Sequence, residues 1–174
     1  MEPVLPLTHP FTLFHTALSL VAIVAGLVVA RGLLRNQPMP GWTTLFLSTA
    51  VLTTATGFLF PFRGFTPALG TGVVSSGVLA LTLIALYAQR LAGAWRAIYV
   101  VGAMVTVYLN VFVLVVQVFQ KVPALHALAP TQKEPPFAIA QGVVLLVFVA
   151  ATVLGVRRFR PAGPASVAGA SAAR

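Results

Sequence analysis

The sequence predicts an all-α fold, an integral membrane bundle of five transmembrane helices, and three observations lead there. The first is composition: of 174 residues, 59% are hydrophobic and 7% are charged. A soluble domain carries about 25% charged residues because it must wet its surface. This chain has no Asp and only Glu2 and Glu134 as acids, and a bilayer removes the need for more. The second is length: five runs, 11–30, 42–60, 69–88, 97–119 and 137–156, hold 19–23 residues each and no charge. At about 1.5 Å of rise per residue they match a hydrocarbon core of ~30 Å. Lipid offers no partner to open backbone groups, so each run should be helical. The third is charge asymmetry. Arg31, Arg35, Arg90, Arg96, Arg157, Arg158, Arg160 and Arg174 fall on one side of such a bundle, and only Arg63, Lys121 and Lys133 on the other. The richer side is expected in the cytoplasm. That places the amino terminus outside and the carboxyl terminus inside, which an odd number of spans requires. Trp42, Tyr87, Trp95 and Tyr99 near the basic boundary suit interfacial anchors.

Residues 1–160 read as one membrane domain and residues 161–174, rich in Ala, Gly, Pro and Ser, as a disordered cytoplasmic tail. The net charge of +9 does not indicate nucleic acid as a partner, because the basic residues close apolar runs instead of studding one amphipathic element among aromatics. The expected partners are the lipid bilayer and a membrane protein or a second copy of the chain. Cysteine is absent, which excludes disulfides, thiolate metal sites and cysteine nucleophiles. The start lacks the basic segment of a cleavable leader and has Glu2 instead, so the first run is expected to stay, with its start exported.

Each run carries its own polar signature. Prolines avoid the runs, and Pro10, Pro67 and Pro136 stand at helix starts, with Thr66 and Glu134 as capping signals. Run one places His15 on a face with Ser19, Ala22, Gly26 and Ala30, a small-residue stripe that lets another helix approach. His9 belongs at the outer boundary. Run two aligns Thr49, Thr53 and Thr56, and hydroxyls in a helix ordinarily bond the carbonyl one turn back. The connection with Arg63 between Phe62 and Phe65 reads as an interfacial anchor. Run three offers Gly72 and Ser76 as a small-xxx-small packing pair. Run four aligns Tyr99, Ala103, Thr106, Asn110, Gln117 and Lys121 on one face at about 100° per residue. Asn110, deep in that run beside Tyr108, needs a partner, and an interhelical hydrogen bond is the structural expectation. A short interfacial helix is expected within 122–130, bearing His126, and run five brings Gln141 just below the outer surface.

The chemistry-bearing residues therefore gather on the outer side, and a ligand site is expected there from His15, Asn110, Gln117, His126 and Gln141. A pocket between helices with a few polar groups suits a quinone, held by His15, Asn110 and Gln117. His15 with His126 could ligate a metal or, axially, a haem iron. Passage of a small solute along the Thr and Asn faces is a further possibility. No acid lies inside a run, which excludes a carboxylate proton relay; a Ser-His-Asp set cannot be assembled, and a carboxylate pair is not expected. The expected role is a non-enzymatic accessory membrane component, with no catalytic residues and no cofactor. A haem- or quinone-binding subunit is the alternative.

The segment VYLNVFVLVVQVFQKVPALHALAPTQKEPPFAIAQG resembles a group of small bacterial membrane proteins without assigned activity, over runs two to five. That resemblance implies a bacterial inner membrane and nothing about mechanism. The opening THPFTLFHT is similar to the His-Pro start of the DUF2231 group of membrane proteins, with a different spacing to the second histidine, so no role is carried across.

Overall fold

The computed structural model describes residues 10–60 and 67–160. They form helices α1 (Pro10–Leu34), α2 (Pro40–Gly57), α3 (Pro67–Leu83), α4 (Trp95–Lys121), α5 (Pro123–Leu128) and α6 (Pro135–Arg158), with α3 continuing into a π turn, Ile84–Ala88. No strand occurs among the described residues. Every helix but α4 begins on a proline, where the missing N–H would have had no intrahelical partner and the fixed φ already suits a helix. The expectations placed on Glu2, His9, Arg63 with its flanking phenylalanines, Thr66 and the tail 161–174 fall outside the described residues.

Four helical segments, Pro10–Leu34, Leu69–Ala88, Trp95–Lys121 and Pro135–Arg158, are long and apolar enough to cross a membrane. Of the five expected runs, the second differs. It is helical and packed within the bundle, yet it is not one of these four. It stops at Gly57 instead of Phe60, and threonines dilute its apolar character. After Gly57 the backbone tightens, with Phe58 N–H and Leu59 N–H donating to the Ala55 and Thr56 carbonyls. Phe60 then turns back onto α1, with its ring 5.0 Å from Phe11 and edge-on to His15.

Residue pairings give the topology. His15 meets Thr56, and Gly26 meets Phe46, so α1 and α2 are antiparallel. Val100 meets Gly155, and Phe112 meets Gln141, so α4 and α6 are antiparallel. α4 is central, packed against α1, α3 and α6, while α2 bridges α1 and α3. Arg31, Arg35, Arg90, Arg96, Arg157, Arg158 and Arg160 thereby collect at one end of the bundle. Lys121, His126, Lys133 and Glu134 lie at the other.

The core sits almost wholly in the arginine half. Its members are the late part of α1 (Ala22 to Leu33), the early part of α2 (Thr43 to Ala50), Leu79, Thr82 and Ala85, the early part of α4 (Tyr99 to Val107), and Phe159 just beyond α6. Glycines set its tightest contacts. A Cβ on Gly26 would stand 2.6 Å from Val107 and 2.8 Å from Phe46, and one on Gly102 only 2.1 Å from the Thr82 hydroxyl. The small stripe of α1 thus packs as expected, but the pair expected in α3 does not join helices. Gly72 faces the Phe58 ring and the Ser76 hydroxyl bonds its own helix at the Gly72 carbonyl. The close approach falls one helix later, at Gly102, because Thr82 fills the groove that a missing side chain leaves.

Candidate functional site

The five residues expected to form one site lie in the open half of the bundle but are not drawn into one pocket. His15 is half-buried in the α1–α2 seam, its Nδ1 2.8 Å from Thr56 Oγ1. The Thr56 hydroxyl also reaches the Leu52 and Thr53 carbonyls; when its single hydrogen goes there, His15 Nδ1–H donates to Thr56 and Nε2 keeps the lone pair. The Thr12 and Thr53 hydroxyls, each three residues earlier on its helix, are buried without partners. Asn110 bonds the Thr106 carbonyl of its own helix, which corrects the interhelical bond expected there. Since Gly26 packs on Val107, Asn110 lies about 12 Å along the bundle axis from His15 at 1.5 Å per residue. Gln117, half-buried, lies near the level of His15 by the same reckoning. His126 is exposed on α5, which packs on α4. Among the described residues no three potential metal-ligating side chains cluster.

The amide that does join helices is Gln141, whose Nε2 donates to the Phe112 carbonyl at 3.2 Å while its Oε1 stays buried and unpartnered. One turn further along α4, Gln132 donates to the Val116 carbonyl and accepts from Gln120. Two amides thus pin α6 and its preceding loop to successive turns of one α4 face. The Glu134 side chain does not cap α6: Pro136 has no N–H to offer, and the Phe137 N–H donates to the Glu134 backbone carbonyl. Its carboxylate instead accepts from the Thr131 N–H and hydroxyl and from the Lys133 N–H. Desolvation raises its pKa, but the hydrogen bonds from Thr131 and the neighbouring backbone outweigh it and hold the carboxyl below its ordinary value.

A cavity of about 280 Å³ lies at the opposite, arginine end. Its walls come from every part of the chain that reaches this end. Val29 and Leu33 belong to α1, Gln37 to Met39 to the following loop, and Pro40, Thr43 and Thr44 to the first turn of α2. Leu86 and Tyr87 come from the π turn, Leu91 from the loop after it, Tyr99 from α4, and Phe159 closes the end. Local geometry builds these walls. Gln37 N–H donates to the Gly32 carbonyl, so the loop folds onto a glycine where a Cβ would stand 2.7 Å from the Gln37 carbonyl oxygen. The wide turn closed by Gln89 N–H on the Ile84 carbonyl is followed by Arg90 and Leu91 at φ 49° and 60°. Two consecutive side-chain-bearing residues in the left-handed region cost about 1–2 kcal/mol each, a strain that tends to mark sites. Here it turns Leu91 into the cavity wall.

Two contacts absent from the sequence-based expectations hold the floor. Arg96 donates from one Nη1 to the Val156 and Phe159 carbonyls, satisfying the open end of α6 with a charge of the sign its dipole favours. Asn36, at φ 55°, accepts the Arg160 N–H on its side chain. Phe159 is thereby held in the core, its ring 6.2 Å from that of Tyr99. The signal was present in the sequence: an arginine one residue inside the start of α4, on a helix antiparallel to α6, can reach the end of its neighbour. The pairing of those two helices had to be known first. Comparison of the chain with family models, with curated proteins and with solved structures gives no match.

Proposed function

We propose that the chain is a five-span protein of a bacterial cytoplasmic membrane, with its amino terminus outside and its arginine end in the cytoplasm, acting as a non-enzymatic accessory component. The observation that carries this reading is the segregation of charge along the bundle. All seven described arginines stand at one end, at the termini of helices of membrane-spanning length. Positive residues flanking such helices are retained on the cytoplasmic face. On this reading α2 is the fifth span. Three of its threonines are tolerable in lipid because the hydroxyls of Thr44, Thr49 and Thr56 bond carbonyls of their own helix.

A non-enzymatic role is favoured by the chemistry of the side chains. Glu134 is the one described acid, and it is engaged in its own loop. Among the described residues His15 has a hydroxyl beside it and no carboxylate to orient it. The test is a visible spectrum and an organic extract of the protein purified in mild detergent. The expected result is a colourless protein in which His15→Ala and Asn110→Leu alter only the melting temperature. A Soret band or a stoichiometric quinone lost in either variant would refute the reading in favour of a cofactor-binding subunit.

A further inference from the structure

We propose that the cavity at the arginine end is a binding site for one anionic phospholipid, taking the upper part of an acyl chain inside and the phosphate at the rim. This goes beyond the accessory role above and rests on the chain being embedded in lipid.

Three observations converge. The first is size and lining. About 280 Å³ corresponds to roughly nine water volumes at ~30 Å³ each, enough for a chain segment and too little for a whole lipid. Val29, Leu33, Leu86 and Leu91 give that segment an apolar wall. The second is a pair of hydroxyls. Thr43 and Tyr99, 8% and 3% exposed, both line the cavity. Each carries a hydroxyl that can donate to an acceptor such as an ester carbonyl. The third is uncompensated charge. Arg35, Arg90 and Arg160 are exposed, and each stands within two residues of a lining position. The described acid, Glu134, is at the far end of the bundle, so no carboxylate side chain is described near them. Basic pockets between helices on the cytoplasmic side attract anionic headgroups, at about fivefold in affinity per arginine. A neutral quinone could accept from these hydroxyls but would leave the arginines unanswered.

The test uses the full-length protein reconstituted into vesicles of phosphatidylcholine, with and without phosphatidylglycerol, then released for native mass spectrometry. The expected result is one retained phosphatidylglycerol per chain, and higher thermal stability in the anionic vesicles. Retention should weaken about fivefold in Thr43→Val and in Tyr99→Phe, which keep the cavity shape, and by over tenfold in the Arg35→Gln/Arg90→Gln double variant. Inorganic phosphate alone should give no stabilisation. Equal retention of both lipids, an unchanged double variant, the same stabilisation by phosphate, or a quinone in the extract would each overturn the site. A protein that fails to float with vesicles would instead refute the membrane reading.

Discussion

The two halves of the bundle are built from the same helices and differ in nearly every physical respect. The arginine half is close-packed. Phe46, Leu47, Val100, Met104 and Val107 are at most 2% exposed there, and Gly26 and Gly102 hold helices at distances no side chain would allow. The far half is loose. α1 residues before Val21, α2 residues after Ala50 and α6 residues before Gly155 contribute no buried side chain. The described buried polar atoms without partners, on Thr12, Thr53 and Gln141, all lie in that half. Dense packing and complete polar pairing therefore go together. A half whose polar atoms remain open is the one that bends or accepts a partner at lower cost, because unsatisfied groups are already part of its ground state.

The sharpest way to break this comparison is to make the same substitution in both halves. Gly102→Ala should lower unfolding stability in mixed detergent micelles by about 3 kcal/mol, the upper range for overpacking, with partial recovery on adding Thr82→Ala. Gly142→Ala, where a Cβ meets nothing within 4 Å, should leave stability unchanged or raise it by up to about 1 kcal/mol. Equal losses at both positions would mean the halves are packed alike. Arg96→Gln comes next, at about 2 kcal/mol, since it strips a charged donor from two carbonyls at the end of α6. Fluorescence quenching at Trp95 should increase as Phe159 is released, and Arg96→Lys should recover part of the loss. An unaltered melting temperature would remove Arg96 as the clasp.

In the loose half, Gln141→Leu should be neutral or stabilising within about 1 kcal/mol. It gives up one amide bond to Phe112 but also removes a buried acceptor that has no partner. A loss above 2 kcal/mol would show that the Gln141 carbonyl is satisfied in the membrane after all. The smallest effect belongs to Glu134. Its folded pKa lies below the ordinary 4.5, so the order it gives the loop is complete above that value and fades as pH falls through the lowered one. Amide exchange at Thr131 and Lys133 should accelerate as pH falls below the ordinary carboxylate value in the wild type and be fast and pH-insensitive, beyond intrinsic exchange, in Glu134→Gln. A loop that stays protected at pH 2 would contradict this.

How legible these features were in the sequence follows the same division. The apolar runs and prolines marked the helices, and α4 and α6 extend only two residues past each predicted end. That is because apolar length and missing N–H groups act locally. The extent of α2 was overread because Phe58, Leu59 and Phe60 are as apolar as a helix interior, while the turn after Gly57 is decided by Phe60 finding His15 and Phe11. Sequence spacing sorts the polar residues onto helix faces, but which of them meet depends on helix rotation and register. Asn110 satisfied itself within its own turn, and Gln141, closer to the helix start, crossed over instead. The arginine-end cavity left no local signal at all. It is made from five separate stretches, each unremarkable alone, and its most unusual wall residue, Leu91, carries an ordinary side chain in a left-handed backbone, as does Arg90 before it.

In the proposed reading the close-packed arginine half faces the cytoplasm in a bundle of five spans. The chain has no cysteine, so single replacements Gln37→Cys and His126→Cys can be labelled in intact bacteria with a membrane-impermeant maleimide without background. Labelling is expected at position 126 in intact cells and at position 37 only after permeabilisation. Labelling of both positions from the same side would contradict it, since α2 would then not cross, and labelling of position 37 alone would invert the bundle.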